Sequence, residues 1–225
     1  MRRIFRLWRT TIGKKYVMAV SGIVLLLWLF LHAAGNLKIF TGRSHFNEYS
    51  EFLRAIGAPV AGEGDLLWVT RAVLLVALAA HVWAMIALWR LDAAARPVGY
   101  RQFRPQVFSV ASRTMKWGGI AIFLFVIYHL LHFTTGDAHA DFVTGDPYHN
   151  VIAGFQSLPV ALVYFAALVA LAFHLYHGIW SAFQTLGVND RRYNRLRRPF
   201  ALLVSIGITT TFAVVPIAVL AGIVP

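Results

Sequence analysis

Five apolar runs, each of about twenty residues, dominate this chain of 225 residues. An α-helix needs about 20 apolar residues to cross the hydrocarbon core of a bilayer. The composition, 59% hydrophobic and 13% charged, fits that class of protein. We therefore predict an all-α membrane protein, a bundle of five transmembrane helices that forms a single domain over residues 1–225. The predicted spans are about 16–36, 66–90, 115–135, 158–183 and 199–223.

Basic residues are distributed asymmetrically about these spans. With the N-terminus inside, the N-terminal tail and the loops after the second and fourth spans hold 17 of the 21 basic residues, and the outer side receives seven of the nine acids. The positive-inside rule therefore predicts an N-in, C-out topology. The net charge of +12 then reports orientation and not nucleic-acid binding. The alternative roles for these charges are contacts with anionic membrane lipid or with an acidic soluble partner.

A shorter amphipathic segment separates the first and second spans. Residues from Ser44 to Gly57 alternate apolar and charged side chains at helical spacing, and the segment is too short to cross a bilayer. We predict an interfacial helix with Ser44 as its N-cap and Gly57 as its stop signal. Residues 147–150 are interpreted as a segment that leads into the fourth span.

Histidines occur within four of the five apolar runs. An ionisable side chain at membrane depth is costly unless it faces the bundle interior and binds something. The chain has no cysteine, which excludes thiolate-held iron–sulfur clusters and leaves histidine as the strong ligand for a transition metal. The histidines are His32 in the first span, His81 in the second, His129 and His132 in the third, and His174 and His177 in the fourth.

The depth of each histidine follows from the helical rise of about 1.5 Å per residue. His32 and His129 lie roughly 20 to 25 Å from the inner boundary, and His81 and His174 lie roughly 14 to 15 Å from it. Four histidines on four helices thus fall into two levels. Two histidines at one depth on different helices are what a b-type haem needs for its two axial nitrogens.

The sequence alone leaves open which histidines form the pairs and what they bind. Spacing does not choose between His129 and His132, or between His174 and His177, because residues i and i+3 share a helix face. A lone membrane histidine more often hydrogen-bonds a neighbouring helix than binds iron. Zinc is a weaker alternative because closed zinc sites need four ligands that converge on one point.

The histidines belong to longer motifs that follow one another along nearly the whole chain. These are Ser21-Gly22, His32-Ala-Ala-Gly-Asn36, Phe46-Asn-Glu-Tyr49 with Phe52-Leu53, His81, Ser112-Arg-Thr-Met-Lys-Trp-Gly-Gly119, Tyr128-His129 and His174-Leu-Tyr-His-Gly-Ile-Trp180. In this order and spacing the chain resembles the single-subunit cytochrome b membrane anchor of succinate dehydrogenase or fumarate reductase, in its five-helix, dihaem form.

The resemblance implies two haem b groups and the ligands of each. His32 and His129 would hold the outer, distal haem, and His81 and His174 the inner, proximal one. His177 would contact a haem propionate or a ligand, with plain packing as the alternative.

The resemblance also implies a function in the bacterial cytoplasmic membrane, as a subunit of succinate:quinone oxidoreductase. A flavoprotein subunit would act on the dicarboxylate, and an iron–sulfur subunit would dock on the cytoplasmic face. This chain would only carry electrons between that subunit and a quinone, with menaquinone favoured. Some dihaem fumarate reductases have a proton-carrying glutamate where this chain has Ala172, so that proton route is not expected. Trimeric assembly of the complex stays open.

The quinone site has two candidate positions. Glu63 and Asp65 lie at the outer mouth of the second span, and Ser21 and Lys15 lie near the inner end of the first. Two other classes of protein also fit the residues. One is the dihaem cytochrome b of another membrane dehydrogenase, such as a hydrogenase or formate dehydrogenase, and the other is a haem-free transporter that uses the histidines as relays.

Overall fold

The protein is described here by a computed structural model that covers residues 10–58, 60–95, 110–188, 190 and 192–224. Over these ranges the chain is helical and has no strand, which confirms the predicted fold class. A 3-10 turn, Leu37–Thr41, follows the first helix, and a π-helical turn, Leu131–Thr135, continues the fourth. The α-helices are α1 Thr11–Asn36, α2 Arg43–Ala55, α3 Asp65–Ala94, α4 Val110–Leu130, α5 Pro147–Gln156, α6 Leu158–Thr185 and α7 Asn194–Leu220.

Five helical segments of the described chain are long and apolar enough to cross a membrane, as predicted. Their large apolar side chains, such as Leu75 and Leu203, are exposed on the outside of the bundle, which suits a lipid environment and not water. The N-in, C-out topology stays a prediction, and the basic residues among 1–9 and 96–109 on which it depends lie outside the described ranges. The segments are Thr11–Thr41, Asp65–Ala94, Thr114–Thr135, Leu158–Thr185 and Asn194–Leu220.

Two helix pairs form the centre of the bundle. α1 packs along α3, α4 packs along α6, and α7 covers the other side of α6. Alanines such as Ala84, Ala161 and Ala201 are fully buried at these contacts, because small side chains let membrane helices approach closely. Close backbone contact is sparse between α3 and α6 and between α1 and α4. The two helix pairs therefore approach closely where α1 meets α6, and elsewhere they face each other through side chains.

The two helix pairs also carry the same sequence pattern. α3 reads LVALAAH over residues 75–81, and α6 reads LVALAFH over residues 168–174. A methionine, a glycine and a histidine recur at identical spacing on the partner helices of each pair. They are Met18, Gly22 and His32 on α1, and Met115, Gly119 and His129 on α4. We call α1 with α3 the first repeat and α4 with α6 the second repeat.

Cations stacked on aromatic rings mark the ends of the spans. At one end, the Lys116 Nζ of α4 lies 3.5 Å from the ring centroid of Trp89 of α3. At the other end of α3, the Arg71 guanidinium lies 4.8 Å from the Trp68 ring. Tryptophan prefers the membrane interface, so the first of these contacts sets the C-terminal end of α3 and the N-terminal end of α4 at one level. Depths measured along the two repeats are therefore comparable.

The short helix α2 is confirmed, but its cap is not the predicted one. The helix begins at Arg43, one residue before the predicted start. Gly42 occupies the N-cap at φ 94° and makes no side-chain cap hydrogen bond, so the prediction of Ser44 as N-cap is wrong. A positive φ favours glycine, and Gly42 supplies it where the chain leaves the 3-10 turn. Gly57, at φ 87°, follows the helix as predicted.

Helix α5 was missed in the sequence, where residues 147–150 were interpreted as a lead into the fourth span. Asp146 is its N-cap and accepts a hydrogen bond from the His149 N–H at 3.1 Å, and Pro147 opens the helix. Asp followed by Pro is a typical helix start, so the local signal was present. The helix buries Tyr148 and Phe155 against the ends of α6 and α7.

Asp146 also ties α5 to α2. Its carboxylate pairs with Arg43 and accepts a hydrogen bond from Asn47 Nδ2 at 2.8 Å, while Asn47 Oδ1 accepts the Tyr148 N–H at 3.1 Å. Burial alone would raise the pKa of the Asp146 carboxyl. The hydrogen bonds and the Arg43 charge outweigh burial and hold that pKa below its ordinary value of 3.8.

We expect Asp146→Asn to lower stability by about 1 to 2 kcal/mol, because the charged acceptor of three donors is lost. A depressed pKa in the folded state means that this stabilisation is complete above about pH 4. It is lost as the pH falls through the folded-state pKa. The measurement is the thermal midpoint in detergent at pH 7 and pH 3.

The control for this prediction is Asp137→Asn, which removes an exposed carboxylate of the same outer region that bonds Thr135. It should change the midpoint little at either pH. An equal midpoint for Asp146→Asn and wild type at pH 7 would contradict the role of the carboxylate.

Candidate functional site

The four predicted histidines meet in two pairs inside the bundle. The ring centroids of His32 on α1 and His129 on α4 lie 5.8 Å apart, and the planes are nearly perpendicular at 78°. The centroids of His81 on α3 and His174 on α6 lie 6.1 Å apart, with the planes at 58°. We call them the outer pair and the inner pair. These are the pairs that the depth calculation predicted, and each joins one histidine of the first repeat to one of the second.

The separation of the rings suits a metal ion between them. Two metal–nitrogen bonds of about 2 Å, with about 1 Å from each nitrogen to its ring centroid, place two imidazole centroids about 6 Å apart. Both pairs have this spacing. The sparse backbone contact between α3 and α6 and between α1 and α4 leaves the interior between the pairs to side chains. The donor set and its spacing therefore fit a haem at each level, which one histidine of each repeat would hold.

In the inner pair, His81 is held against α1. Its Nδ1 lies 3.2 Å from both the Met18 carbonyl oxygen and Ser21 Oγ. Ser21 Oγ donates its own proton to the Val17 carbonyl at 2.6 Å, so it accepts from His81. His81 thus carries its proton on Nδ1, which leaves Nε2 available as a ligand. Gly22 permits this approach, since a Cβ there would lie 3.2 Å from His81 Cε1.

The other inner histidine, His174, lies against α4 in the corresponding way. A Cβ at Gly119 would lie 3.6 Å from His174 Cε1. His174 Nδ1 is buried and has no hydrogen-bond partner among the described residues. The second repeat has Gly118 where the first has Ser21, so the hydroxyl that meets His81 has no counterpart beside His174. His177, three residues after His174, has a half-buried ring that lies edge-on to Trp180 at 5.7 Å.

A cavity of about 350 Å³ adjoins His174 between α4 and α6. Its walls are apolar and aromatic, as is usual for the site of a flat hydrophobic ligand. His174 is the member of the inner pair that lines it, and the exposed side chains of Trp117, Val169 and Phe173 show that the cavity opens on the outside of the bundle. The lining residues are Thr114, Met115, Trp117, Gly118 and Ala121 of α4, and Ala166, Val169, Ala170, Phe173 and His174 of α6.

The outer pair has aromatic neighbours. The His32 ring stacks on Trp28 at 5.8 Å and contacts Phe212 of α7 at 5.5 Å. His129 Nδ1 lies 3.2 Å from the hydroxyl of Tyr164 on α6. Sequence reasoning missed Tyr164. The depth calculation does not find it, because the rise per residue puts Tyr164 roughly 30 Å from the inner boundary, beyond the 20 to 25 Å of the outer histidines.

His132 does not join the outer pair. Its ring is 1% exposed, its Nδ1 lies 3.0 Å from the Tyr164 hydroxyl, and it stacks on His139 at 4.7 Å. His132 is therefore packed among side chains and bonded to tyrosine, one turn beyond His129. In the described part of the chain, no three His, Cys, Asp or Glu side chains converge as a metal-binding group. This agrees with the two separate levels and not with a four-ligand zinc site.

The candidate quinone residues lie in different surroundings. Ser21 is 6% exposed, and its hydroxyl is engaged by the Val17 carbonyl and His81. Lys15 is exposed near the start of α1. Glu63 and Asp65 are exposed at the start of α3. The structure thus brings Ser21 to the inner histidine pair and leaves the two acids accessible.

The fold and the site define a class: a helical membrane protein with five candidate spans and two half-buried histidine pairs. A sequence model of the succinate dehydrogenase/fumarate reductase transmembrane subunit family matches residues 99–214, just over half of the chain. The chain belongs to this family of membrane subunits, and it is a multi-pass membrane protein. No curated protein and no solved structure matched the chain.

Three glycines beside histidine rings give a graded prediction. A Cβ would lie 2.9 Å from His132 Cε1 at Gly154, 3.2 Å from His81 Cε1 at Gly22, and 3.6 Å from His174 Cε1 at Gly119. Gly154→Ala should destabilise by about 1 to 3 kcal/mol through overpacking, and Gly22→Ala by less. Gly119→Ala should be neutral or stabilising by up to about 1 kcal/mol, because alanine favours the helix.

The measurement is the thermal midpoint of each variant in the same detergent. Gly119→Ala is the matched control, since it adds the same methyl group at the equivalent position of the other repeat. Equal midpoints for the three variants would contradict the close approach of these helices to the imidazoles.

Proposed function

We propose that this chain is the dihaem cytochrome b membrane anchor of a succinate:quinone oxidoreductase in the bacterial cytoplasmic membrane. The observation that supports the proposal is the pair of histidine contacts, each with a ring spacing at which two imidazoles would hold a metal ion between them. Family membership favours a succinate or fumarate complex over the complexes of other membrane dehydrogenases. When bound, haem b supplies a one-electron carrier at each level.

The residues of the chain have distinct tasks in this proposal. His32 and His129 hold the outer group, and His81 and His174 hold the inner one. The surrounding apolar and aromatic side chains, together with the membrane lipid, would exclude water from both levels. His177 lies one turn from the inner ligand His174 and would face a propionate or pack against Trp180.

The partners follow from what the chain lacks and from its charge. With no cysteine, it cannot hold an iron–sulfur cluster by thiolates, so an iron–sulfur subunit must deliver the electrons from the flavoprotein. The predicted inner side holds most of the basic residues, and we assign the docking of the soluble subunits to that face. The chain would then do no chemistry on succinate or fumarate itself.

We place the quinone, with menaquinone favoured by the family resemblance, at the outer end. Ser21 is a poor quinone donor because its hydroxyl proton is given to the Val17 carbonyl. Glu63 and Asp65 are exposed carboxylates at the start of α3 and are able to exchange protons with a quinone. Electrons would therefore pass from the inner level to the outer level before they reach the quinone.

The absorption spectrum of the purified complex tests the whole proposal. Reduced-minus-oxidised spectra should show b-type bands, and pyridine haemochrome analysis should give two haems per chain. A preparation without b-type bands would reject the cytochrome function and return the histidines to a relay or packing role.

The ligand assignment is tested by three substitutions. His81→Ala and His174→Ala should each lose the inner haem, because one axial nitrogen cannot hold it in place of two. His132→Ala is the matched control: it removes a buried histidine beside the outer pair and should leave two haems bound. Pyridine haemochrome stoichiometry measures all three, and two haems in His174→Ala would transfer the ligand role to His177.

The direction of electron flow through the two levels is tested by His32→Ala. The levels are on the order of 10 Å apart along the membrane normal, so an outer quinone loses its nearest donor when the outer group is lost. Dye-linked succinate oxidation should persist and quinone reduction should fall to background, with the inner haem spectrum retained. His149→Ala, at an outer surface histidine, should leave both activities unchanged. Near-normal quinone turnover in assembled His32→Ala would move the quinone site to the inner end.

A further inference from the structure

The two histidines of the outer pair are held in different ways. His32 contacts rings, those of Trp28 and Phe212, whereas His129 makes a polar contact from Nδ1 to the Tyr164 hydroxyl at 3.2 Å. The same hydroxyl lies 3.0 Å from Nδ1 of His132. One oxygen therefore serves two imidazole nitrogens inside the bundle, where Tyr164 is 7% exposed and His132 is 1% exposed.

The protons of this group can be assigned from the contacts. His129 must keep Nε2 free of a proton to act as a ligand, so its proton lies on Nδ1 and is donated to the Tyr164 oxygen. The Tyr164 O–H then remains for the second contact, and His132 Nδ1 accepts it. The His129–Tyr164 bond thus uses the His129 proton, and the Tyr164–His132 bond uses the tyrosine proton. Each of the two hydrogen bonds has one donor and one acceptor.

We propose that Tyr164 is a positioning residue for the outer ligand His129 and that His132 fixes the direction of the Tyr164 hydroxyl. The inference rests on the proposed function, because it treats His129 as an axial ligand. His132 thereby acquires a role that is neither ligation nor plain packing. By accepting the Tyr164 O–H, His132 leaves the lone pairs of the tyrosine oxygen to accept the N–H of His129.

The surroundings of His132 hold it in a single orientation. Its ring lies between Tyr128, stacked at 5.4 Å, and His139, stacked at 4.7 Å. The His139 ring is itself fixed, since its Nδ1 accepts the Asp141 N–H at 3.1 Å and its Nε2 donates to the Asn150 carbonyl at 2.8 Å. Helix α5 thus supports the acceptor from the outer side.

Gly154 of α5 completes this support. A Cβ at that position would lie 2.9 Å from His132 Cε1 and 3.1 Å from His139 Nε2, so only glycine lets α5 approach both rings. α5 is therefore more than a connection between spans. It closes the outer end of the histidine group.

The hydrogen bond has an electronic consequence for the ligand. An imidazole whose N–H is donated to an acceptor is a stronger base, which stabilises the oxidised metal and lowers its reduction potential. His81 at the inner level has the Met18 carbonyl as such an acceptor, and a side-chain substitution cannot delete it. At the outer level the acceptor is a side chain, so substitution should change the potential of that level alone.

The experiment uses the assembled complex and compares three single variants and one double variant with wild type. Tyr164→Phe keeps the ring that packs against Phe125 at 4.9 Å and Phe155 at 4.8 Å, and it removes only the hydroxyl. We expect both haems to be retained, with a higher midpoint potential and a shifted low-temperature EPR signal for the outer haem. The inner haem should titrate as in wild type.

The second variant tests the role of His132. His132→Phe keeps a flat ring and removes the acceptor, so the outer potential should shift in the same direction by a smaller amount. In the double variant with Tyr164→Phe, the shift should not exceed that of Tyr164→Phe alone, because both changes act on one hydrogen bond. Additive shifts would overturn the link between His132 and Tyr164.

The matched control is Tyr128→Phe. Its ring stacks on His132 in the same group, but its hydroxyl makes none of the contacts to His129 or His132, so the outer potential should not move. An unchanged outer potential in Tyr164→Phe, or loss of the outer haem in that variant, would overturn the positioning role. A wild-type complex without haem would instead refute the proposed function, which keeps the two failures distinguishable.

Discussion

An imidazole at membrane depth needs a partner for its polar nitrogens, because no water is present to bond them. Four such rings, those of His32, His81, His129 and His174, therefore require neighbouring helices to approach closely enough to contact them. His81 reaches a backbone carbonyl of the neighbouring helix only because Gly22 lets the ring come close. His129 reaches Tyr164 on the helix that packs against its own. One nitrogen of each of these two rings is thereby occupied, and the ring centroids lie 6.1 Å and 5.8 Å from those of the opposite histidines.

Much of this arrangement was predictable from the sequence. The five spans follow from apolar run length alone, and the partners of the histidines follow from counting residues between each ring and the charged end of its helix. Both steps depend on the regular rise of a helix that crosses a bilayer, so a position in sequence becomes a depth. The pairing of His32 with His129 and of His81 with His174 required no information on side-chain packing.

Other features could not be predicted because they depend on rotation and close approach. Depth arithmetic does not say which side of a helix a residue faces, and so it left the choice between His129 and His132 open. It also left Ser21 as a candidate for a quinone contact, although its hydroxyl meets His81. Helix α5 was missed for another reason. Its ten residues lie directly before α6 and are separated from it only by Ser157, so its apolar pattern merges with that of the span.

The repeat of α1 with α3 and α4 with α6 has a consequence for how the sites arise. Each repeat contributes one histidine to the outer pair and one to the inner pair, so neither repeat contains a complete site. Both sites form together, at the single surface where the two halves of the chain dock. This is the geometry of a homodimer of half-sites joined into one polypeptide. Once the halves are joined, each copy is free to diverge, as the exchange of Ser21 for Gly118 beside the inner histidines illustrates.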